Sequence, residues 1–339
     1  MTRIELPPVS IIIPTFNRVA KVVHAIDSVL GQNYPKECRE VIVIDDGSSD
    51  GTAGVLSARY GSRIRLLQQT NSGPAAARNK GINASQHEIV AFLDSDDRWL
   101  PTKLERQIPS LSIPGVVLSY SNWAQRGIVA PASRFEEINL RLDSAISVLD
   151  DPLATLLRPG GGGIWTSTCI GRKGALRRCG QFDERMRICE DIRLWFRLAG
   201  EGKFTIVREP LVERGEPGDD NLVRPADPVY ARESARLRLE LFWEVYARST
   251  DARSDVLARI RHFIVKSLYE QSLCYTRSRD YSNARRKAIE ALAFTPSGLD
   301  LAKVLISACA PSLAGYFQRR RRLEHRTPHS QQLPHQIAS

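Results

Sequence analysis

The sequence lacks the features of a membrane-spanning, secreted or zinc-binding protein. No uninterrupted apolar run reaches about 18 residues, the length that predicts a transmembrane helix, and the segment after Met1 lacks the basic region and apolar stretch of a secretory signal. The six cysteines form no Cys-x-x-Cys pair, and no histidine lies at zinc-ligand spacing from them. We therefore expect a cytoplasmic protein with free thiols in a reducing compartment and no structural zinc.

Length and net charge further restrict the classes of protein to which the chain can belong. With 339 residues the chain is long enough for one large α/β domain and a smaller appendage, taking about 150 residues per domain. A formal net charge of +10 favours anionic partners such as nucleotide phosphates or acidic lipid headgroups. The basic residues are spread along the chain without interleaved aromatics, so we do not expect nucleic acid among the partners.

The first part of the chain alternates between short apolar runs and amphipathic segments of helix length. The apolar runs, which predict strands, are Val9–Ile13, Val41–Ile44, Ile64–Leu67 and Ile89–Leu93. Runs that are apolar at consecutive positions are typical of strands buried on both faces, as in a parallel sheet covered by helices. This spacing predicts right-handed crossovers and therefore an α/β, doubly wound, mostly parallel sheet, in which ligands bind at the carboxyl ends of the strands.

Beyond residue 101 the pattern is weaker. Strands are predicted at Gly115–Tyr120 and Ile164–Ile170, and a short edge strand at Lys203–Arg208. A four-glycine hinge, Gly160–Gly163, precedes the second of these strands, and the segment Trp123–Arg158 is poorly periodic.

Near Asp227 the composition changes to long helical segments rich in Arg, Ala and Leu. Three helices are predicted between Phe242 and Phe294. We therefore divide the chain into an α/β domain at 1–226, a helical extension at 227–318 and a basic tail without regular structure at 319–339.

The end of the helical extension combines an uncharged segment, Val304–Phe317, with a basic cluster, Arg319–Arg322. Such a combination can lie on an anionic membrane surface, where each basic residue contributes about 1 kcal/mol. It can equally be a terminal helix docked on its own domain and followed by a solvated tail. Both interpretations stay open, so peripheral membrane contact through the C-terminus is one hypothesis.

Polar residues follow the first two predicted strands. The loop Pro14–Arg18 can turn backbone groups and an aromatic ring toward a base, or it can be a plain connection in which Asn17 caps the next helix. The second strand ends in Asp45 and Asp46, and burial of unpaired charge there would be costly. An Asp at this place can accept hydrogen bonds from a base or ribose. The alternative is a glycine-containing turn rich in Asp and Ser.

The segment Asn71–Asn79 contains Gly73 and Pro74, which suit the first turn of a helix. The amides and the positive dipole end of a helix N-terminus favour phosphate. Arg78 lies one turn further on, where it can point at a diphosphate or a base. A solvent-exposed arginine on the helix surface is the alternative.

The fourth predicted strand ends in Asp94-Ser95-Asp96-Asp97. Three carboxylates this close repel one another, and a divalent cation would relieve the repulsion. Mg²⁺ and Mn²⁺ prefer oxygen ligands and are typically held by one or two carboxylates together with substrate phosphates. An Asp-x-Asp triplet is also common in ordinary turns, so its position after the other motifs is what favours a cation site.

Acidic residues recur at Glu190 and Asp191, where a predicted helix begins. Carboxylates at such a place complement the helix dipole. Capping and catalysis therefore both stay open on the residues alone.

Several blocks, taken in order, resemble the family 2 glycosyltransferases, which have the GT-A fold and transfer sugars with inversion. The blocks are Val9–Arg18, Val41–Gly51, Asn71–Gly81, Glu88–Leu104, Gly180–Glu184 and Glu190–Ala199. The resemblance implies a GT-A type sheet for the α/β domain, with the helices as a C-terminal extension.

The same resemblance implies a role for each motif. It places the donor nucleotide against Pro14, Thr15, Phe16, Asn17, Arg18, Asp46, Arg78, Asp94 and Ser95. It makes Asp94 and Asp96 the binding motif for a Mn²⁺ or Mg²⁺ ion, and it favours Asp96 over Asp94 as the direct ligand. It makes Asp191 the general base, with Glu190 beside it helping to shape the acceptor pocket.

The implied function is a non-processive, inverting transfer of a sugar from a nucleotide-diphosphate donor to a saccharide or lipid-linked acceptor. The resemblance makes UDP the expected nucleotide of the donor, because UDP-sugars are the usual donors in this family. The Gln-x-x-Arg-Trp motif of processive synthases in this family is missing, which favours single additions. Many relatives carry a further metal-binding His beyond the Glu-Asp block. Val212–Pro217 contains none, and we hypothesise that Glu216 or water takes its place.

Two other functions fit parts of this pattern. A nucleotidyltransferase can share the fold and the carboxylates, but it needs a glycine-rich loop after the first strand, and Pro14–Arg18 contains no glycine. The second is a catalytically inactive, donor-binding scaffold subunit of a glycan assembly system. The presence of Asp94, Asp96 and Asp191 argues against it.

Overall fold

The computed structural model describes residues 6–127, 133–158, 160–215, 227–249 and 252–294. The chain divides into two compact units, Met1–Val223 and Arg224–Ser339. The predicted domain boundary at residue 226 stays a prediction, because the residues around it lie outside the described ranges.

The first unit contains strands and helices in alternation over its first part. Its strands are β1 Val9–Thr15, β2 Arg39–Asp45, β3 Arg65–Gln68, β4 Ile89–Phe92, β5 Arg98–Trp99, β6 Val116–Gln125, β7 Ile146–Leu149, β8 Cys169–Arg172 and β9 Lys203–Arg214. Its α-helices are α1 Val19–Leu30, α2 Thr52–Tyr60, α3 Pro74–Ala84, α4 Lys103–Gln107, α5 Arg134–Glu137, α6 Pro152–Leu156, α7 Lys173–Arg178 and α8 Glu190–Leu198. Short 3₁₀ helices lie at Lys36–Cys38, Gly61–Arg63, Ile108–Ser112, Gly161–Gly163 and Thr166–Thr168.

The nine strands of the described chain join one sheet in the order β3-β2-β1-β4-β8-β6-β9-β5, and β7 also pairs with β9. Strands β1, β2, β3, β4, β6 and β9 run in one direction, whereas β5, β7 and β8 run in the other. The predicted α/β class, with a mostly parallel sheet, is therefore confirmed.

The carboxyl ends of the first four strands lie at one edge of the sheet. Thr15 at the end of β1 pairs with Asp45 at the end of β2, and Asp45 pairs with Gln68 of β3. Strand β4 ends at Phe92, which pairs with Ile12 of β1. The loops that carry the predicted donor-binding residues therefore start at this edge.

Helix α3 packs closely on the sheet because Gly81 has no side chain. A Cβ atom at this position would lie 2.5 Å from Ile12 Cγ2 and 3.0 Å from Ile44 Cδ1. The helix begins after Gly73, whose φ of +91° is in the region that favours glycine. These two glycines fix the helix that carries Arg78 against β1 and β2.

The second half of the sheet differs from the prediction in two places. Strand β9 is not a short edge strand: it has 12 residues and lies between β6 on one side and β5 and β7 on the other. It continues past Pro210, which has no N–H to donate, because its register with β6 shifts on both sides of that proline. The strand predicted at Ile164–Ile170 begins only at Cys169, because Thr166–Thr168 forms a 3₁₀ turn.

The second unit is helical in its described part, as predicted. Its helices are α9 Pro228–Arg248, α10 Ser254–Arg277 and α11 Tyr281–Leu292, so the first begins before Phe242. The rings of Phe242 and Phe263 stack between α9 and α10 with centroids 4.7 Å apart. Ser272 Oγ of α10 donates to the carbonyl oxygen of Ala284 on α11 at 2.8 Å.

The predictions for the C-terminus concern residues outside the described ranges. They comprise the uncharged segment Val304–Phe317, the basic cluster Arg319–Arg322 and the tail 319–339. Within the described residues, no helix combines the length and apolar character needed to cross a membrane.

A buried lysine joins α4 to the second half of the sheet. Lys103 Nζ donates to Gln107 Oε1 at 2.5 Å and to the carbonyl oxygen of Thr168 at 2.9 Å, and it lies 5.0 Å from the ring centroid of Trp99. Gln107 Nε2 donates to the carbonyl oxygens of Ser119 and Thr168. Burial lowers the pKa of Lys103 to about 7, because surroundings of low polarity favour the uncharged amine.

We expect the lowered pKa of Lys103 to make the free energy of unfolding depend on pH. Between about pH 7 and about pH 10 the unfolded chain binds a proton at Lys103 that the native protein does not, so the free energy of unfolding rises with pH. The slope is at most about 1.4 kcal/mol per pH unit. Urea unfolding across this range should show the wild type gaining stability over Lys103→Met as the pH rises. A constant difference between the two proteins would contradict a neutral buried lysine.

Candidate active site

The carboxylates that follow β4 are held by different parts of the chain. The side chains of Asp94 and Asp96 are 19% and 20% exposed, whereas Asp97 and the intervening Ser95 are buried. Each carboxylate has its own hydrogen-bond donors. The repulsion that the sequence predicts is therefore offset within the protein itself. We refer to residues 94–97 as the acidic loop.

Arg78 joins the acidic loop to helix α8. Its terminal nitrogens contact Asp94 Oδ1 at 2.7 Å and Glu190 Oε1 at 2.8 Å, and its guanidinium carbon lies 5.3 Å from the ring centroid of Phe182. The side chain is buried, so the surface alternative for Arg78 is wrong. Burial acts to lower the pKa of Arg78, but the charges of Asp94 and Glu190 outweigh it and the pKa is raised. A permanently charged guanidinium thus lies between two acids from distant parts of the sequence.

Glu190 and Asp191 have different partners at the start of α8. Burial raises the pKa of Glu190, the charge of Asp191 adds to this effect, and Arg78 opposes it. Asp191 Oδ2 accepts a hydrogen bond from Thr166 Oγ1 at 2.9 Å, and its Oδ1 accepts one from the Ile192 amide at 2.7 Å. Capping of the helix accounts for only the second of these contacts.

Asp96 pairs with Arg18, the residue before α1, at 3.1 Å. Burial raises the pKa of Asp96 and the charge of Asp94 raises it further, while Arg18 opposes both. Gly215, which follows β9, lies against the acidic loop: a Cβ atom there would overlap the carbonyl oxygen of Asp96. Any larger residue at position 215 would displace the loop.

Asp97 anchors the acidic loop. Its Oδ2 accepts hydrogen bonds from Trp165 Nε1 at 2.8 Å and Ser167 Oγ at 2.5 Å, and its Oδ1 accepts one from the Gly215 amide at 2.8 Å. Ser167 Oγ also accepts a hydrogen bond from the Asp94 amide at 3.0 Å. Burial raises the pKa of Asp97, and the two neighbouring carboxylates raise it further. The loop is therefore tied both to the turn before β8 and to the end of β9.

Asp46, which follows β2, holds the loop that leads into α3. Its carboxylate accepts hydrogen bonds from the Gln69 side chain and from the amides of Ser72 and Gly73, each at 2.8 Å. Its own amide donates to the carbonyl oxygen of Thr15 at 2.9 Å. Asp46 therefore positions the N-terminus of α3, and the binding of a base or ribose by this residue stays a prediction.

The loop after β1 presents one aromatic ring to solvent. Phe16 is 43% exposed, while Pro14 and Thr15 are buried. Asn17 has φ +50° and does not cap α1; its side-chain oxygen accepts a hydrogen bond from the Ser49 amide at 2.8 Å. Thr15 Oγ1 is buried and has no hydrogen-bond partner within the described structure. The ring of Phe16 is therefore exposed at the carboxyl end of β1, whereas the Thr15 hydroxyl is enclosed.

The structure therefore brings the predicted residues together in two adjoining groups. One is the network of Arg18, Arg78, Asp94, Asp96, Glu190 and Asp191. The other contains Thr15, Phe16, Asn17 and Asp46 at the ends of β1 and β2. The sequence prediction missed Trp165, Thr166, Ser167 and Gly215, which organise the first group. A glycine run before a polar stretch was the signal that favours a turn there over a strand.

The residues of this site fit a Mg²⁺ or Mn²⁺ ion only together with a bound diphosphate. Among the described residues, no group of three acidic, histidine or cysteine side chains forms a cluster that could hold a metal ion alone. Asp94 and Asp96 each contact an arginine through one carboxylate oxygen, so the other oxygen of each is not taken up in these pairs. Two carboxylates with phosphate oxygens are a typical donor set for these cations. Glu216, the hypothetical further ligand, lies outside the described residues.

Residues 10–162 match the family model described as Glycosyl transferase family 2. The matched segment contains Asp46, Arg78 and the acidic loop. It ends shortly before Thr166 and does not include Asp191.

Among curated proteins, the chain is similar to WfgD of Escherichia coli, named UDP-Glc:alpha-D-GlcNAc-diphosphoundecaprenol beta-1,3-glucosyltransferase. The two are 39% identical over 116 residues, which are 34% of this chain and 45% of WfgD. The chain spans less than half the length of the curated relatives that it matches.

The fold is similar to two solved structures. The first is S. aureus TarS 1–349 in complex with UDP, with a TM-score of 0.65 and 16% identity over 93% of this chain and 92% of that chain. The second is the mannosyltransferase PcManGT from Pyrobaculum calidifontis in complex with GDP-Man and Mn²⁺, with a TM-score of 0.58 and 17% identity over 95% and 85% of the two chains. At these identities the likeness concerns the fold, which is of the GT-A type that the sequence predicts.

Arg78→Ala should destabilise the first unit, because it leaves Asp94 and Glu190 close together without a shared cation. Removing one partner of a buried ion pair typically costs about 3–5 kcal/mol. The cost should shrink at mildly acidic pH, since Glu190, whose pKa is already raised, then takes up a proton and loses its charge. Urea unfolding at neutral and mildly acidic pH measures both effects.

Arg185→Ala is the matched control. Arg185 pairs with Asp183 at 2.8 Å, but the arginine side chain is 82% exposed. Exposed pairs contribute only about 0–1 kcal/mol. Equal losses of stability in the two variants at neutral pH would contradict a buried electrostatic bridge at Arg78.

Proposed function

We propose, from the match of residues 10–162 to the family model described as Glycosyl transferase family 2, that the protein transfers a sugar from a nucleotide-diphosphate donor to an acceptor hydroxyl. The observation that carries the proposal is the network around Arg78, in which the acidic loop and the start of α8 meet. One of these elements offers carboxylates to a donor and its cation, and the other offers a base to the acceptor.

The proposed reaction is a direct displacement with inversion. The acceptor oxygen forms a bond to the anomeric carbon while the bond from that carbon to the diphosphate breaks, and the diphosphate leaves with the electron pair. Asp191 takes the proton of the acceptor hydroxyl. Its hydrogen-bond partners, Thr166 and the Ile192 amide, are neutral, whereas Glu190 is engaged by Arg78. This difference supports Asp191 rather than Glu190 as the base.

Donor binding is assigned to the loops after β1, β2 and β3. The exposed ring of Phe16 suits a base, and Asp46 offers a carboxylate near the end of β2. Asp46 already accepts the Ser72 and Gly73 amides at the start of α3, so the positive charge offered to the diphosphate is that of Arg18 and Arg78 close to the acidic loop. The residues proposed to shape the same subsite are Pro14, Thr15, Asn17 and Ser95.

Asp94 and Asp96 are proposed to hold Mn²⁺ or Mg²⁺ together with the donor diphosphate. When bound, such a cation stabilises the negative charge that develops on the leaving group. The Mn²⁺ complex of PcManGT supports this part of the proposal. The arginines paired with both carboxylates show how the loop keeps its charges close together without a cation.

The finer proposal is a UDP-sugar donor, a saccharide or lipid-linked acceptor and a single addition at each encounter. The name of WfgD gives a UDP-Glc donor and a diphosphoundecaprenol-linked acceptor, and TarS was solved with UDP. Both support UDP-sugars as the first donors to test. A cytoplasmic place of action, with or without membrane contact through the C-terminus, belongs to the same proposal.

A panel of nucleotide sugars should identify the donor by thermal shift in the presence of Mn²⁺, because a ligand that binds only the native state raises the melting temperature. We expect UDP-sugars to raise it and chelation of Mn²⁺ to remove most of the gain. Asp96→Asn should lose the metal-dependent part, whereas Asp143→Asn, which changes an exposed aspartate, should retain it. A panel in which no nucleotide sugar changes the melting temperature would contradict the proposal.

Asp191→Asn should separate catalysis from binding. The asparagine has nearly the same size but does not take up the proton, so kcat for transfer, or for hydrolysis of the donor by water, should fall by about 10²–10⁴-fold. The thermal shift caused by the donor should stay unchanged. Equal turnover by variant and wild type would rule out Asp191 as the base. Donor binding without any turnover by the wild type would favour the inactive scaffold instead.

A further inference from the structure

The proposed base is held by a turn that also holds the acidic loop. Thr166 Oγ1 donates to Asp191 Oδ2 at 2.9 Å. The residues on either side of it, Trp165 and Ser167, donate to Asp97 Oδ2 at 2.8 Å and 2.5 Å. Three consecutive side chains therefore contact the two acidic motifs of the site. We call these residues the 165–167 turn.

The segment before the turn is packed and not a free hinge. All four glycines of Gly160–Gly163 have positive φ, between +65° and +77°. The carbonyl oxygens of Gly162 and Gly163 accept hydrogen bonds from Tyr120 Oη at 3.2 Å and Trp123 Nε1 at 3.3 Å, both from β6. The glycine run thus leads the chain into the turn along a fixed path.

The turn is also fixed on the side away from the acids. The carbonyl oxygen of Ser167 accepts a hydrogen bond from Trp99 Nε1 at 2.8 Å. The carbonyl oxygen of the next residue, Thr168, accepts one from the buried Lys103 at 2.9 Å. Because backbone and side chains are both engaged, the Thr166 hydroxyl has a defined position relative to the acidic loop.

Resting on the function proposed above, we propose that Thr166 is a positioning residue for Asp191. The hydrogen bond from the Ile192 amide ties Asp191 only to its own neighbour in the chain. The bond from Thr166 is the contact that sets the direction of the carboxylate relative to the acidic loop. Thr166 uses one lone pair of Oδ2 and the Ile192 amide uses one of Oδ1, so each oxygen keeps a lone pair for the acceptor hydroxyl. Thr166 therefore acts on the proton transfer and not on donor affinity.

Thr166→Val tests this role, because valine keeps the shape of the side chain and removes the hydroxyl. With the donor found by thermal shift, we expect kcat for donor turnover to fall about tenfold while the donor KM stays within about twofold. Thr166→Ser restores the hydroxyl and should recover most of the loss. Loss of a hydrogen-bond donor disfavours a charged carboxylate, so the acid side of the kcat–pH profile should move to higher pH in the valine variant.

Thr168→Val is the matched control. Its hydroxyl donates to the carbonyl oxygen of Trp165 at 2.6 Å and not to an acid, so the same substitution within two residues should leave the acid side of the profile in place. A Thr166→Val enzyme with the kcat and pH profile of the wild type would overturn the inference. A shift of the profile shared equally by Thr168→Val would also overturn it.

A double-mutant cycle of Thr166→Val and Asp191→Ala tests the contact between the two residues without requiring turnover, so it distinguishes failure of this inference from failure of the proposed function. Measured by unfolding, the two positions should be coupled by about tenfold or more in the unfolding equilibrium constant, the size expected for one hydrogen bond to a charged group. Turnover by the wild type without such coupling overturns the inference alone. Coupling without turnover of any donor overturns the proposed function.

Discussion

The site depends on one buried guanidinium that two acids share. Asp94 belongs to the loop after β4 and Glu190 begins a helix much later in the chain, yet both contact Arg78 within hydrogen-bond distance. Two carboxylates this close would otherwise separate or take up protons, since an uncompensated buried charge is costly. Arg78 belongs to α3, and Gly81 allows this helix to pack directly on the sheet. The fold itself therefore sets the distance between the two acidic motifs. Both carboxylates are thus held in place by the fold, and such preorganisation is what the proposed reaction requires of its charged groups.

Much of the fold and the places of the acidic motifs could be predicted from the sequence. Strands buried on both faces are apolar at consecutive positions, and this pattern is visible in Val9–Ile13 without any partner strand. Parallel strands then bring their carboxyl ends to one edge, which is why Thr15, Asp46 and Asp94 could be expected near one another. Glu190 and Asp191 could not be placed in this way. Two acidic residues at the start of a helix fit helix capping and catalysis equally well, and only the family resemblance assigned them to the site.

The pairings and the second half of the sheet could not be predicted, because they depend on contacts between distant residues. Nothing in the local pattern distinguishes Arg78 from a surface arginine, or shows that Arg18 neutralises Asp96. The segment Ile164–Ile170 has the composition of a strand, but the glycines before it turn the chain. Its polar side chains then donate hydrogen bonds to acidic residues of other segments, Asp97 and Asp191. In the same way β9 continues past Pro210 only because β6 accommodates the change of register, and that information lies in another strand.

The coupling between Arg78 and Glu190 is the most direct test of the shared guanidinium. It is obtained from the free energies of unfolding of Arg78→Met, Glu190→Gln and the double variant at neutral pH. If each residue compensates the buried charge of the other, the coupling should be at least about 2 kcal/mol. A coupling below about 0.5 kcal/mol, the size found for exposed pairs, would show that the two residues act independently and would contradict a site organised around Arg78.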